Sequence, residues 1–158
     1  MNGISLILDT NLLLLFIVGT TNRDLIAKHK RLRKNFSLDD FDLLWRLIAN
    51  TPHVFVTPNT LTETSNLLGY IDEPARTQVF ETFRALILSM QEEYVESRKA
   101  AGVEEFLRLG LTDSALLEIA SKSRLLLTTD LDLYLSALNR GASAENFNHL
   151  REQFSLKV

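Results

Sequence analysis

The chain has 158 residues, 46% of them hydrophobic and 23% charged, with a formal net charge of −3 and no cysteine. That length fits one domain, residues 1–158, with a core of its own. The lack of cysteine excludes disulfides, thiolate metal sites and thiol catalysis, and the mild acidity argues against a module that grips nucleic acid through its phosphates alone.

The first residues, MNGISLILDTNLLLLFIVG, are very apolar, but Asp9 and Asn11 interrupt them and no basic stretch precedes them. The run from Leu12 to Val18 is too short to span a bilayer. We therefore expect neither a signal peptide nor a membrane span, and a cytoplasmic protein. Ile4 to Leu8 reads as a strand buried on both faces, followed directly by Asp9 and by a helix over Thr10 to Val18. Asn22 to Lys34 is polar and basic, with its charge concentrated in Lys28, Lys30, Arg31, Arg33 and Lys34. A helix over Asp39 to Ala49 has a Ser37–Asp40 start signal.

A second short strand covers His53 to Val56, and Thr57-Pro58 caps a helix that ends near Leu68 and Gly69. A longer helix follows from Asp72 to about Gln91. Tyr94 to Glu96 reads as a short third strand, and Val103 to Leu109 as helix ending at Gly110. Thr112 then caps a helix to Ser121, with Asp113 in its first turn. Leu125 to Leu127 is a strand, Asp130 lies just past it, and Leu131 to Asn139 is a helix ending at Arg140-Gly141. Glu145 to Phe147 reads as a last edge strand. Strands alternating with helices indicate an α/β fold with a mainly parallel sheet.

Four acids occupy telling places. Asp9 ends the first strand, Glu63 lies inside the helix after the second, Asp113 opens a helix, and Asp130 follows a later strand. In a parallel sheet, strand ends and helix starts fall on one edge, where ligands bind. Glu63 shares a polar helical stripe with Asn59 and Asn66. Crowded carboxylates hold protons unless a cation joins them. An all-oxygen set favours a hard cation, Mg²⁺ or Mn²⁺, and such ions suit phosphodiester hydrolysis. Taken singly, Asp9, Asp113 and Asp130 also read as helix-start acids and Glu63 as an ordinary surface glutamate; the ordered set of four carries the chemistry.

In order and spacing, LILDTN, a lone helical glutamate, LGLTDSALLEIA and LLLTTDLDLY resemble the PIN-domain family over nearly the whole chain. The resemblance implies a three-layer α/β/α fold and Mg²⁺- or Mn²⁺-dependent RNA cleavage. It implies Asp9, Glu63, Asp113 and Asp130 as metal-binding and catalytic acids, with Asp132 as a second acid beside Asp130. Asn11 matches the family's D-x-N, and Thr128 its T-x-D, where the hydroxyl orients a carboxylate. The family's small bacterial toxins, the VapC-like proteins, imply a toxin role, an antitoxin protein as partner and a homodimer. This chain is longer than those toxins and adds the basic stretch, which would hold RNA phosphates or form a solvated surface.

Three rival readings remain. A haloacid-dehalogenase-type phosphotransferase would need a second aspartate where Asn11 stands, and a receiver domain would need paired acids and a later lysine that we do not find. A PIN-like scaffold that binds RNA or protein without cutting would not need all four acids.

Overall fold

The computed structural model describes residues 3–156. Five strands form one sheet: β1 (Ser5–Leu8), β2 (Val54–Val56), β3 (Gln91–Glu92), β4 (Arg124–Thr128) and β5 (Ala144–Asn146). Every pairing is parallel and the strand order is β3-β2-β1-β4-β5. The helices are α1 (Thr10–Thr21), α2 (Leu38–Ala49), α3 (Pro58–Leu68), α4 (Ala75–Ser89), α5 (Ser97–Ala101), α6 (Phe106–Ile119), α7 (Leu131–Asn139) and α8 (Phe147–Leu156). The expected three-layer α/β/α arrangement is therefore present.

Strand residues alternate between two cores, as period-2 side chains must. Leu8, Val54, Val56, Leu125 and Leu127 face a core built with α1 to α4 and α8. Ile7, Phe55 and Leu126 face a second core built with α5, α6 and α7. Helix α1 is buried all round from Leu12 to Gly19, which explains why its sequence is apolar on every side rather than striped. A Cβ on Gly19 would stand 2.2 Å from the Phe41 ring, so glycine lets α2 approach that closely.

At α2 and α3 the local signals and the structure agree. Ser37 and Asp40 form a reciprocal capping box, and Thr57 caps α3 with Pro58 in its first turn. Several expectations need correction. The third strand is Gln91–Glu92, not Tyr94 to Glu96; both of its residues are exposed and polar, and pairing with Phe55 and Val56 alone defines it. The fourth helix begins at Ala75, not Asp72. Helices α5 and α8 carry no clear local signal, and Phe147 opens α8 instead of closing an edge strand. Helix α6 runs through Gly110, which takes φ 82° and ψ −176° and kinks it there; glycine suits that positive φ. Two helical runs meet at that kink, so Gly110 closes the first as expected, and Thr112 and Asp113 lie in the first turn of the second, Thr112 without capping it.

The basic stretch is not a loose segment. It forms short 3₁₀ turns at Arg23–Leu25 and Leu32–Lys34, anchored by buried Leu25, Ile26 and Leu32. His29 is fully buried. Its Nδ1 accepts from the amides of Arg31 and Leu32 at 3.2 and 3.3 Å, and its Nε2 lies 3.3 Å from the Leu68 carbonyl. Two donors at Nδ1 place the ring proton on Nε2, and burial pushes the imidazole below its ordinary pKa.

Candidate functional site

The strand order reverses between β1 and β4, so the carboxyl ends of these two strands flank the topological switch point where open α/β sheets bind ligands. Asp9 follows β1 and Asp130 follows β4. Both also cap the helices they introduce: Asp9 Oδ1 accepts from Leu12 N at 2.9 Å and Asp130 Oδ1 from Leu133 N at 3.0 Å. Each side chain therefore caps its helix and stands at this edge of the sheet at once.

Asp9 is held hard. Its Oδ2 accepts from the Thr128 hydroxyl at 2.6 Å and from Thr129 N at 3.1 Å, while Asp130 N donates to Thr128 Oγ1 at 3.0 Å. Thr128 thus ties the Asp9 carboxylate to the Asp130 amide through one buried hydroxyl. Glu63 is clamped from two sides: Thr10 donates to its Oε2 at 3.2 Å and Thr112 to its Oε1 at 2.7 Å. Sequence reasoning missed both threonines in this role. Their signal was position, since each precedes or follows a cluster acid by one residue.

Asp113 directly follows Thr112 on α6 and makes no hydrogen bond through its carboxyl among the described residues. Partial burial, followed by the charges of Asp130, Asp9 and Glu63, pushes its pKa up to about 7. Burial likewise pushes Asp9 up, against the pull of its three donors. The four acids thus share one electrostatic neighbourhood. Next to Asp113, the buried Ser114 hydroxyl has no partner. The residue four before it is Gly110, whose ψ of −176° turns away the carbonyl a helical serine would ordinarily use.

Other predicted residues lie apart. Asp132 is engaged by Arg108, whose Nε donates to both carboxylate oxygens at 2.9 Å. Asn11 is half-buried and makes no side-chain hydrogen bond among the described residues. In the basic stretch, Lys30 pairs at 3.4 Å with Asp72, in the connection between α3 and α4. Lys28, Arg31, Arg33 and Lys34 are exposed and form no ion pair among the described residues. Among the described residues, the far end of the stretch is linked to the edge that carries Asp130 only through α8. Arg151 of α8 holds the Asn35 carbonyl and Asp40, and Asn148, one turn earlier, donates to the Thr129 carbonyl.

The donor chemistry suits a hard cation: carboxylates only, mutually repelling, at the edge where ligands bind. Among the described residues, however, no three acidic or histidine side chains are spaced to enclose one ion. No family profile matches the chain, and no curated protein matches it. A solved domain of a functionally unknown protein from Methanocaldococcus jannaschii DSM 2661 is similar over 90% of this chain and 89% of its own, at 18% identity and a TM-score of 0.40. A likeness that loose bears on neither activity nor partners. No helix among the described residues is long and apolar enough to cross a membrane.

Proposed function

We propose that this chain is a metal-dependent endoribonuclease that hydrolyses RNA phosphodiester bonds at Asp9, Glu63, Asp113 and Asp130, with Mg²⁺ or Mn²⁺ as cofactor. The supporting observation is the web that joins β1, α3, α6 and β4 at the switch point: Thr128 and Thr129 on Asp9, Thr10 and Thr112 on Glu63. Repelling carboxylates gathered by dedicated hydroxyls gain nothing for stability from their closeness; a cation or a substrate explains it.

Asp9, Glu63, Asp113 and Asp130 would hold the metal. When bound, it supplies an activated water and offsets phosphate charge. The chain's own residues set the frame. The Asp9 and Glu63 carboxylates are oriented by the donors that hold them; Asp9 Oδ2 already takes two donors, while Asp9 Oδ1 and both Glu63 oxygens take one each and keep a second lone pair for a further ligand. Asp113 has no such restraint and can turn toward a ligand or take up a proton near neutral pH. With this reading we propose, on the resemblance alone, the role of a toxin with an antitoxin protein, a homodimeric state and a cytoplasmic location.

The decisive experiment is cleavage of single-stranded RNA. Activity should vanish in excess chelator and return with Mn²⁺ or Mg²⁺. Asp113→Asn should lower it by at least about 100-fold with the fold intact, because even outer-shell partners of metal ligands are typically worth 10–100-fold. Wild-type rates in chelator, or near-normal cleavage by folded Asp113→Asn protein, would sink the assignment. One observation favours the non-catalytic scaffold instead: no three acids are spaced for an ion among the described residues. A scaffold predicts no Mg²⁺-dependent rise in Tm, whereas a metal site predicts one.

A further inference from the structure

Beside the acid cluster lies a cavity of about 350 Å³ that shares Glu63 and Thr112 with it. Its wall is formed by Pro58, Asn59 and Thr62 of α3 on one side and by Tyr94 and Ser97 on the other. Tyr94 is 74% exposed, although the next residue, Val95, is buried and anchors the segment in the second core. The ring touches no aromatic neighbour at stacking distance among the described residues. The side chains of Asn59, Thr62 and Ser97 take part in no hydrogen bond among the described residues. An unstacked aromatic face and unused amide and hydroxyl groups therefore converge on a space that opens next to the acids.

We propose that this cavity is a nucleobase subsite, in which Tyr94 stacks on one base of single-stranded RNA and Asn59, Thr62 and Ser97 read its edge. The inference rests on the nuclease reading and adds to it where the nucleotide next to the scissile phosphate is held. Three physical arguments support the assignment. Bases splayed from single-stranded RNA are recognised by stacking on aromatic rings and by hydrogen bonds to their edges. The volume lies at the small end of ligand cavities, which suits one nucleoside rather than a duplex. An amide offers both donor and acceptor, and hydroxyls do the same, so the wall can match a base edge of either polarity. Glu63 separates this space from Asp9 through the Thr10 and Thr112 clamps, so a base lodged here would place its own phosphate toward the acids.

The test uses free nucleosides, which bring no charge and no scissile bond. Adenosine and uridine are titrated into the full chain without metal, and base-proton shifts are followed by NMR. Tyr94→Ala should weaken binding at least about five-fold, the lower end for loss of one stacked base, while Tyr94→Phe should stay within about two-fold. Since Tyr94 is exposed, neither change disturbs the fold, and circular dichroism checks this. Asn59→Ala should alter the adenosine-to-uridine preference. Unshifted base protons, or equal affinity in Tyr94→Ala, would overturn the subsite. RNA cleavage by the same proteins separates the two ideas. Tyr94-dependent nucleoside binding by a protein that leaves RNA intact in Mg²⁺ and Mn²⁺ would remove the nuclease reading and keep the subsite. RNA cleavage with nucleoside affinity indifferent to Tyr94 would do the reverse.

Discussion

Asp113 and Asp9 are both pushed toward the neutral form, yet they should respond differently to substitution. Asp9 accepts from Leu12 N, Thr128 Oγ1 and Thr129 N. An amide there would turn NH₂ toward at least one donor, so Asp9→Asn should cost fold stability, about 1–3 kcal/mol, and mix folding with function. Asp113 has no such donors, so Asp113→Asn removes charge without removing a partner. The direction of its pH dependence follows from linkage. The folded carboxyl titrates at about 7 against an ordinary 3.8, so between those values the folded chain holds a proton that the unfolded chain has lost. Stability contributed by Asp113 therefore falls as pH rises through that window, and the full cost is present above 7. Without divalent cation, Asp113→Asn should raise Tm at pH 8, by about 2–4 °C per kcal/mol of relief. The gain should shrink toward pH 5. Thermal melts at both pH values check this; a gain larger at pH 5 than at pH 8 would contradict it. Added Mg²⁺ should close the gap by stabilising the wild type alone.

At the scale of elements, α1 is the member to which the others are fitted. It is buried from Leu12 to Gly19 between the sheet and α2, α3 and α4, and its first residues carry Asp9's cap and the Thr10 clamp into the site. Gly19 sets how close α2 lies, because an added Cβ would fall 2.2 Å from Phe41. Gly19→Ala should gain up to about 1 kcal/mol of helix propensity and lose more through overpacking, which typically costs 1–3 kcal/mol. The expected outcome is net destabilisation of about 1 kcal/mol, read from the midpoint of urea unfolding. A more stable variant would mean that Phe41 moves aside without cost.

At the scale of the molecule, the distribution of charge matters more than its sum. On the proposed nuclease reading, a net charge of −3 would have to coexist with a polyanionic substrate, and bound cations would act only near the scissile phosphate. Arg31, Arg33 and Lys34 are exposed and unpaired among the described residues, on a segment that His29 pins in place and that α8 links to Thr129, next to Asp130. Replacing these three with alanine should weaken RNA binding across sequences. It should also make log affinity against log salt shallower by about 2, at roughly 0.7 for each single-strand phosphate no longer neutralised. Turnover at saturating RNA should hold, since none of the three touches the acids. An unchanged slope in a salt series would make the segment a solvated surface. Lys30 is excluded from this set because Asp72 already engages it.

Much of this architecture is written locally. Hydrophobic runs of a few residues mark β1 and β4, and periodicity and caps mark α2, α3 and α7, because burial and capping depend on neighbours along the chain. An acid just past a buried strand, or in the first turn of a helix, also points to one edge of a parallel sheet, so the shared neighbourhood of Asp9, Asp113 and Asp130 was legible before any packing was known. Tertiary structure alone decided the rest. The Gln91–Glu92 strand exists only because β2 pairs with it, and no apolar pattern announces it. The hydrogen bonds that assemble the site join residues 49, 53 and 119 positions apart, and no periodicity encodes which threonine will meet which carboxylate. Asp132 shows the same limit. Two residues along α7 from Asp130, it is captured by Arg108, 24 residues away, because helix docking brings a guanidinium to one aspartate and leaves the other among like charges.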